Sequence, residues 1–426
     1  MRRRQVVSRV LPFFHYLDGV SRYNVKIEAC SALFFGLFAG AIYPFFSVTA
    51  VRLGAASFLL AIITAAPFMG QLFAVYWGHR CEQGPKKPYV IYSGLFSRFL
   101  LAFLALSRDP RFFALFVVLH FMTASIGGPA FTALYKKVYP LSFRGQIMGR
   151  MQFIIGIARV LMTYGAGLWL DRQGYTELFL VASVLGIISS MIFDNLKEPQ
   201  ERVIINKRKF SLKILYNLLK NNKLLKMAMI GFFIFDLGNL ILAPIYPLVQ
   251  VNHLGMSNFQ IGQLAIFWMI GWFITAPFWG YVNDRYRPLY NILIAIALFT
   301  ISPLIYFFEA SYPFLIVASL SWGAAGSSLE VGWLNMMIRL GGENASQYSG
   351  LYLTVLGLRG LIAPVLGIVL YNYLPANSIF LLSFILIVSG LIPFILYKKL
   401  EDQEERGEKA NLCRVNFNNS NVKSLS

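Results

Sequence analysis

The stretch Trp77-Gly78-His79-Arg80-Cys81-Glu82 returns 202 residues later as Trp279-Gly280-Tyr281-Val282-Asn283-Asp284. In both copies an apolar run of helical length ends at Trp-Gly, an acidic residue follows four residues after the glycine, and a basic turn comes next. A second pair of glycines, Gly149 and Gly156, recurs as Gly350 and Gly357. Long internal repeats in an apolar chain predict two related halves that enclose a pathway across a membrane.

The composition is typical of a membrane protein. Apolar residues make up 57% of the 426 residues, charged residues make up 13%, and the mean hydropathy is +0.60. A soluble domain carries about 25% charged residues, so this chain has too little polar surface to cover a water-facing globule of its size. Its apolar stretches are close to the ~20 residues that cross a bilayer as a helix. We predict twelve such spans, at 26–50, 56–78, 88–107, 112–136, 146–170, 176–194, 227–251, 259–281, 288–308, 313–338, 347–373 and 378–397.

The predicted fold class is all-α, a polytopic membrane protein with twelve transmembrane helices in two pseudo-symmetric six-helix bundles. The bundles are separated by a basic stretch with nine lysines and arginines, in which apolar residues at helical spacing predict a tethering surface helix. The predicted organisation is a cytoplasmic N-terminal tail 1–25, a first bundle 26–194, the basic linker 195–226, a second bundle 227–398 and a cytoplasmic C-terminal tail 399–426.

The distribution of basic residues predicts the orientation of the chain in the membrane. The formal net charge is +19, which would fit a nucleic-acid partner if the charge formed one surface. With both termini inside, however, 31 of the 38 lysines and arginines fall in inner loops and tails, and 4 fall in outer loops. Cytoplasmic loops collect such residues. We therefore predict two cytoplasmic termini, a bacterial inner (plasma) membrane location, a lipid bilayer partner and no nucleic-acid partner.

The sequence contains no pattern typical of an enzyme or of a cofactor site. Cys30, Cys81 and Cys413 have no metal-ligand spacing. We find no nucleotide-binding loop and no set of nucleophile and base. We therefore expect no metal, no cofactor and no enzymatic activity.

The repeated loop, the twelve spans and the long basic linker together resemble the major facilitator superfamily. Its loop signature reads Gly, three residues, Asp, Arg, one residue, Gly and then basic residues. The resemblance covers about residues 26–398 and implies a cytoplasmic gating motif, in which the acidic residue pairs with basic groups across the inner face in one state and releases them in the other. A purely structural turn is the alternative. The first copy of the motif contributes Gly78, Glu82, Gly84, Lys86 and Lys87; it has Gln83 in place of the arginine, and its Gly84 comes one position early. The second copy contributes Gly280, Asp284, Arg285 and Arg287, and Arg287 stands in place of the second glycine.

Several charged residues lie deep within the predicted spans. Asp236 is about ten residues into span 7, ~15 Å from the membrane surface, and Asn239 shares its helix face. Glu330 in span 10 and Arg359 in span 11 have compatible depths, so they could form an ion pair. Such groups persist in hydrocarbon when they face a wet cavity or a partner. The resemblance implies that Asp236 and Glu330 line the pathway and that Arg159, in span 5, approaches it.

These residues lead to more than one functional hypothesis. A carboxylate in hydrocarbon binds a proton more readily than one in water, which favours Asp236 and then Glu330 as proton-coupling residues. The arginines could instead bind an anionic solute, or each charge could belong to a static salt bridge, which is our interpretation of Arg98 in span 3. We predict a secondary transporter of a small solute that works by alternating access, coupled to protons and monomeric. An uncoupled facilitator and a transport-dead sensor or scaffold are the alternatives.

Overall fold

The structure, a computed structural model, describes residues 17–73, 76–77, 80–81, 85–198, 219–220, 222–309, 311–342, 345–403 and 406. Within them all regular secondary structure is helical. The helices are α1 (Gly19–Ile42), α2 (Phe46–Arg52), α3 (Ser57–Leu72), α4 (Lys87–Leu106), α5 (Pro110–Val138), α6 (Leu141–Gln173), α7 (Thr176–Asp194), α8 (Lys223–Ile241), α9 (Ile245–Leu248), α10 (Asn258–Arg285), α11 (Pro288–Phe299), α12 (Ile301–Phe307), α13 (Tyr312–Gly341), α14 (Ala345–Tyr371) and α15 (Ala376–Ser389), with a π-helical turn at Val249–His253 and further helical residues at 391–403.

The helices confirm the predicted membrane-spanning class. Eleven helical segments of the described chain are long and apolar enough to cross a bilayer, and the shorter apolar helix α3 occupies the position of the second predicted span. The tail 1–25 and the linker 195–226 lie mostly outside the described residues, as does the end of the C-terminal tail. The division into bundles at these boundaries therefore stays a prediction.

Several predicted spans are bent or extended for local reasons. The first span consists of α1 and α2, separated by a turn that contains Pro44, and the seventh is divided near Pro244. Proline removes a backbone donor and clashes with the preceding turn, so such breaks are expected. Helix α1 begins at Gly19, seven residues before the predicted start, because the Asp18 carboxylate accepts hydrogen bonds from the backbone N–H groups of Val20 and Ser21.

The described helices belong to two compact units. Unit 1 consists of residues 1–209, 243–269 and 360–373. In it, α1 packs on α6 and α7, α4 packs on α5 and α7, and α3 packs on α5. The buried core between these helices is apolar and rich in aromatic rings, with Phe38, Phe45, Phe113 and Phe179 almost fully enclosed.

Unit 2 consists of residues 210–242, 270–359 and 374–426. Helix α8 packs on α15, α11 packs on α13, and α12 packs on α13 and α15. In the numbering of the predicted spans, unit 2 therefore pairs spans 7 and 12, spans 9 and 10, and spans 9 and 12. The equivalent pairs in unit 1 are spans 1 and 6, spans 3 and 4, and spans 3 and 6. The internal repeat of the sequence is therefore accompanied by a repeat of helix pairing.

Gly271 allows α10 and α13 to approach closely in unit 2. A Cβ atom added to Gly271 would lie 2.2 Å from the carbonyl oxygen of Leu320, which is backbone and cannot rotate away. We expect Gly271→Ala to lower the free energy of unfolding by ~1–3 kcal/mol, because the helices must separate. Thermal unfolding of the purified variant in detergent measures this change.

Gly280→Ala is the matched control, since Gly280 lies on the same helix and an added Cβ would meet no described atom within 4 Å. Replacing glycine by alanine inside a helix is favourable by ~0.5–1 kcal/mol. Equal unfolding midpoints for the two variants would contradict the close helix contact at Gly271.

Candidate functional site

The strongest candidate site is a buried ion pair in unit 2. The Nη2 atom of Arg359 on α14 lies 2.5 Å from Oδ2 of Asp236 on α8. Arg359 is 1% exposed and Asp236 is 6% exposed, so both charges are removed from solvent. Asp236 lies near the middle of the apolar segment Lys223–His253. The sequence-predicted residues Asp236 and Arg359 are thus brought together from positions 123 residues apart.

Polar side chains extend this pair on the side of Asp236. The Nδ2 group of Asn239 donates a hydrogen bond to Oδ1 of Asp236 over 3.0 Å. The indole Nε1 of Trp322 on α13 donates to Oδ1 of Asn239 over 3.1 Å. Each oxygen of the Asp236 carboxylate therefore has a donor, and the network links α8, α13 and α14.

Aromatic rings enclose Arg359. Its guanidinium carbon lies 3.7 Å from the centre of the Phe232 ring, and Nη1 donates to the Phe232 carbonyl oxygen over 3.3 Å. Phe232 stacks on Trp333 with ring centres 4.3 Å apart, and Tyr352 contacts both rings. The Nε atom of Arg359 is buried and has no hydrogen-bond partner among the described residues. The guanidinium therefore retains a donor that another acceptor can use.

Glu330 does not belong to this network. Its side chain is exposed on α13, and Arg359 pairs with Asp236 instead of Glu330. Depth within the membrane alone therefore did not identify the carboxylate that pairs with Arg359. Glu330 remains a candidate pathway residue by its position in the predicted span.

Arg159 lies in unit 1, on α6. Its guanidinium carbon is 5.9 Å from the ring centre of Tyr43 and 5.8 Å from that of Trp268. Its Nε atom is buried and has no hydrogen-bond partner in the described part of the chain. Arg159 is thus held by aromatic faces, which attract cations electrostatically.

The second copy of the repeated loop continues a helix. Helix α10 extends to Arg285, so Gly280, Asp284 and Arg285 are helical residues, beyond the predicted span end at residue 281. Asp284 and Arg285 are exposed, and Nη1 of Arg285 donates to the Tyr281 hydroxyl over 2.7 Å. Arg287 forms salt bridges with Glu401 at 3.1 Å and with Asp402 at 2.5 Å.

The first copy of the loop is only partly described. Lys86 is buried, and its Nζ donates to the Cys81 carbonyl oxygen. Lys87 forms a salt bridge with Asp194 at 3.1 Å. Gly78, Glu82 and Gly84 lie outside the described residues, so the role of this loop in gating stays a prediction.

A polar clamp in unit 1 joins α2 and α6 to the start of α10. Asp171 of α6 accepts hydrogen bonds from the backbone N–H groups of Asn258 at 2.8 Å and Phe259 at 3.0 Å. Arg52 of α2 donates to the Asn258 side-chain oxygen at 2.8 Å and to the Met256 carbonyl at 2.7 Å. A carboxylate at a helix N-terminus is stabilised by the unpaired N–H groups and the helix dipole. This clamp ties segments of the two sequence halves together.

Sequence reasoning missed Glu28. This residue lies on α1, is 5% exposed, and its Oε2 accepts a hydrogen bond from the Tyr139 hydroxyl at 2.5 Å. The feature of the sequence that could have identified Glu28 is its position, as an acidic residue at the start of the first predicted span. Glu28 lies only two residues inside the predicted span 26–50, whereas the helix that contains it begins at Gly19, seven residues before that span.

Taken together, a polytopic helical chain, repeated helix pairing and charges buried within the spans define the class of an integral membrane carrier. The family model of the Major Facilitator Superfamily matches residues 28–236 and 228–417. The chain therefore belongs to the Major Facilitator Superfamily.

Individual relatives are distant. The human synaptic vesicular amine transporter is 26% identical over 152 residues, which is 35% of this chain and 30% of that protein. The chain thus matches about a third of the length of this curated relative. The crystal structure of the nucleoside transporter NupG has a TM-score of 0.66 at 13% identity, covering 88% of this chain and 98% of that one. A bacterial homologue of the human lysosomal transporter Spinster, in an inward-facing and occupied conformation, has a TM-score of 0.59 at 13% identity, covering 90% and 98%. At these identities the structures establish a shared fold.

Proposed function

We propose that the protein is a secondary transporter of a small solute, driven by proton movement through the Asp236–Arg359 pair. The observation that carries this proposal is the 2.5 Å contact between two buried charges near the middle of a membrane span. Buried ionisable residues in spans usually mark a substrate, ion or proton path.

The geometry of this pair supports a coupling mechanism. In this structure the pair is closed, so a proton can occupy the Asp236 carboxylate only after Arg359 releases it. Protonation of Asp236 then leaves the Arg359 guanidinium without its counter-charge, and a buried unpaired charge is costly. An acceptor group of the solute can satisfy Arg359, beginning at the unpaired Nε. Solute binding and protonation favour the same open pair, and two events that favour the same state are coupled.

The membrane potential can supply the driving force. Moving one elementary charge through 100 mV is worth ~2.3 kcal/mol. Alternating access would expose the Asp236 carboxylate to each side in turn. We further propose a bacterial inner membrane location, two cytoplasmic termini and a monomeric carrier, on the basis of the distribution of basic residues and the internal repeat.

The names of the relatives suggest solutes for a first assay. One is a nucleoside transporter and another is an amine transporter. Nucleosides carry the hydrogen-bond acceptors that the mechanism requires at Arg359, whereas an amine needs a further acceptor group. We propose a panel of nucleosides and amines as the starting point for a substrate search.

The test is proton movement driven by solute. Purified protein in vesicles that enclose a pH-sensitive dye should change the internal pH when a panel solute is added, and protein-free vesicles should show no change. Solute uptake with no proton movement, at every pH, would contradict proton coupling.

An uncoupled facilitator is the second candidate. The chain of contacts from Arg359 through Asp236 and Asn239 to Trp322 would then hold the helices together without titrating. Flux that is independent of pH and runs only down the solute gradient would support it. A transport-dead sensor would instead show stabilisation by a solute and no flux.

A further inference from the structure

Unit 1 contains a cavity of about 310 Å³ between α1, α4, α5, α6 and α7. This volume is at the lower end of the range typical of small-molecule pockets, ~300–1,000 Å³. Apolar side chains form most of the wall, and a carboxylate and a guanidinium also line it. The lining residues that matter here are Glu28, Arg98, Phe131, Met148, Met151 and Phe193.

The acidic side of the cavity contains an uncompensated carboxylate. Glu28 is 5% exposed and forms no salt bridge with any described residue; the Tyr139 hydroxyl donates to its Oε2. The hydroxyl of Tyr135, which also lines the cavity, is buried beside the Glu28 carboxylate. This side therefore combines a carboxylate with two phenolic hydroxyls.

The basic side of the cavity contains the Arg98 guanidinium. One N–H group donates to the Ser190 hydroxyl, and the guanidinium carbon lies 5.6 Å and 5.5 Å from the ring centres of Phe35 and Phe38. Arginine carries five N–H donors in a fixed plane. The side-chain contacts of Arg98 in the described chain use one of them, so the others can serve a ligand.

The two charges lie at different levels of the bundle. Ser31, one helical turn after Glu28 on α1, bonds to Ser189 of α7 over 2.9 Å, and Ser190, which follows, contacts Arg98. Phe35 and Phe38, the two α1 rings beside the Arg98 guanidinium, are seven and ten residues after Glu28. At 1.5 Å per residue, the groups that contact Arg98 lie ~5–15 Å from Glu28 along the bundle.

We propose that this cavity binds a small amphipathic zwitterion, with its ammonium group at Glu28 and Tyr135 and its carboxylate at Arg98. A purely cationic ligand would leave Arg98 uncompensated, and a purely anionic ligand would leave Glu28 uncompensated. A zwitterion forms charge-assisted hydrogen bonds at both ends. An extended peptide spans ~3.3–3.6 Å per residue, so an apolar dipeptide matches the separation of the charges. Its side chains would pack on Met148, Met151 and Phe193.

This binding site is independent of the proposed transport mechanism. The residues that line the cavity belong to unit 1, whereas Asp236 and Arg359 belong to unit 2. The test below measures binding without requiring flux. Its failure would leave the proton-coupling proposal untouched, and the reverse also holds.

The experiment compares leucyl-leucine with its N-acetyl derivative and its C-terminal amide as ligands of the full-length protein in detergent. Leucyl-leucine should raise the unfolding midpoint in a saturable way. Each derivative lacks one charge, and a hydrogen bond to a charged group is worth ~1.5–3 kcal/mol, so each should bind roughly 10- to 100-fold more weakly. No stabilisation by leucyl-leucine, or equal stabilisation by all three, would overturn the proposal. Stabilisation by lysophosphatidylethanolamine alone would show a lipid site and would also overturn it.

Substitutions in the cavity test which residue binds each charged end of the ligand. Glu28→Gln should remove the preference for leucyl-leucine over the N-acetyl derivative, and Arg98→Gln should remove its preference over the amide. Tyr135→Phe keeps the ring and removes only the hydroxyl beside Glu28, so it should fold and bind leucyl-leucine several-fold more weakly. The exposed charges Glu177 and Arg172 of the same unit provide the matched controls Glu177→Gln and Arg172→Gln, which should keep the wild-type preferences. Unchanged preferences in all three cavity variants would place the ligand elsewhere.

Discussion

Asp236→Asn is expected to abolish uphill accumulation of the transported solute while exchange of solute across the membrane continues. The amide has the shape of a protonated carboxyl group but cannot release a proton, so the cycle loses its link to the proton gradient. Exchange needs only the return of the loaded carrier, which the neutral side chain permits. The measurement is accumulation under an imposed pH gradient, with counterflow in vesicles at equal pH, for any solute that moves protons in the wild type.

Glu330→Gln is the matched control for this variant. It neutralises another carboxyl group of unit 2 that is exposed and lies outside the Asp236 network. If Asp236 is the proton-coupling residue, the Glu330→Gln variant should still accumulate solute. If Asp236→Asn accumulates solute normally at all pH values, the assignment of proton coupling to Asp236 is wrong. If the Glu330 variant alone loses accumulation, the coupling residue is Glu330.

The second large effect concerns stability. Asp236→Asn and Arg359→Gln should each lower the free energy of unfolding by ~3–5 kcal/mol, because each leaves one buried charge without its partner. The double variant removes both charges and should recover most of this loss. The pair would therefore show a large positive coupling in a double-mutant cycle. Denaturant or thermal unfolding of the four proteins in the same detergent measures the cycle.

The salt bridge between Lys87 and Asp194 is the control for this cycle. Its N···O distance is 3.1 Å, and its side chains are 26% and 58% exposed. Exposed pairs contribute ~0–1 kcal/mol, so Lys87→Gln, Asp194→Asn and their combination should differ little from wild type. If the Asp236 and Arg359 single variants also differ little, or if their losses add in the double variant, the buried charges do not stabilise each other.

The sequence predicted the membrane-spanning class and the family because these depend on quantities that are local in the chain. Spans of apolar residues, the excess of basic residues in alternate loops and the Trp-Gly repeat can all be read without any knowledge of packing. The depth of Asp236 in its span could also be estimated, since rise per residue in a helix is constant. Spacing alone therefore indicated that Asp236 lies deep in its span, but it did not identify the buried Glu28.

The ends of the helices were predicted less accurately from the sequence. Helix α1 begins early because Asp18 caps it, and α10 extends past Gly280 to Arg285. A cap depends on a few hydrogen bonds, which a hydropathy pattern does not contain. The cavity of unit 1 was absent from the sequence-based hypotheses because its lining residues come from five helices that only packing brings together.

By itself the sequence determined that this chain crosses the membrane many times as helices, that its two halves are related, and that ionisable residues lie within the spans. Only the tertiary structure decided which of these residues meet. Arg359 had Glu330 available at a compatible depth, yet it pairs with Asp236, 123 residues away along the chain. Depth is set by the position of a residue along one helix, whereas partnership is set by the rotation and packing of two helices against each other. Those depend on many side chains at once, such as Phe232, Trp333 and Tyr352 around the guanidinium.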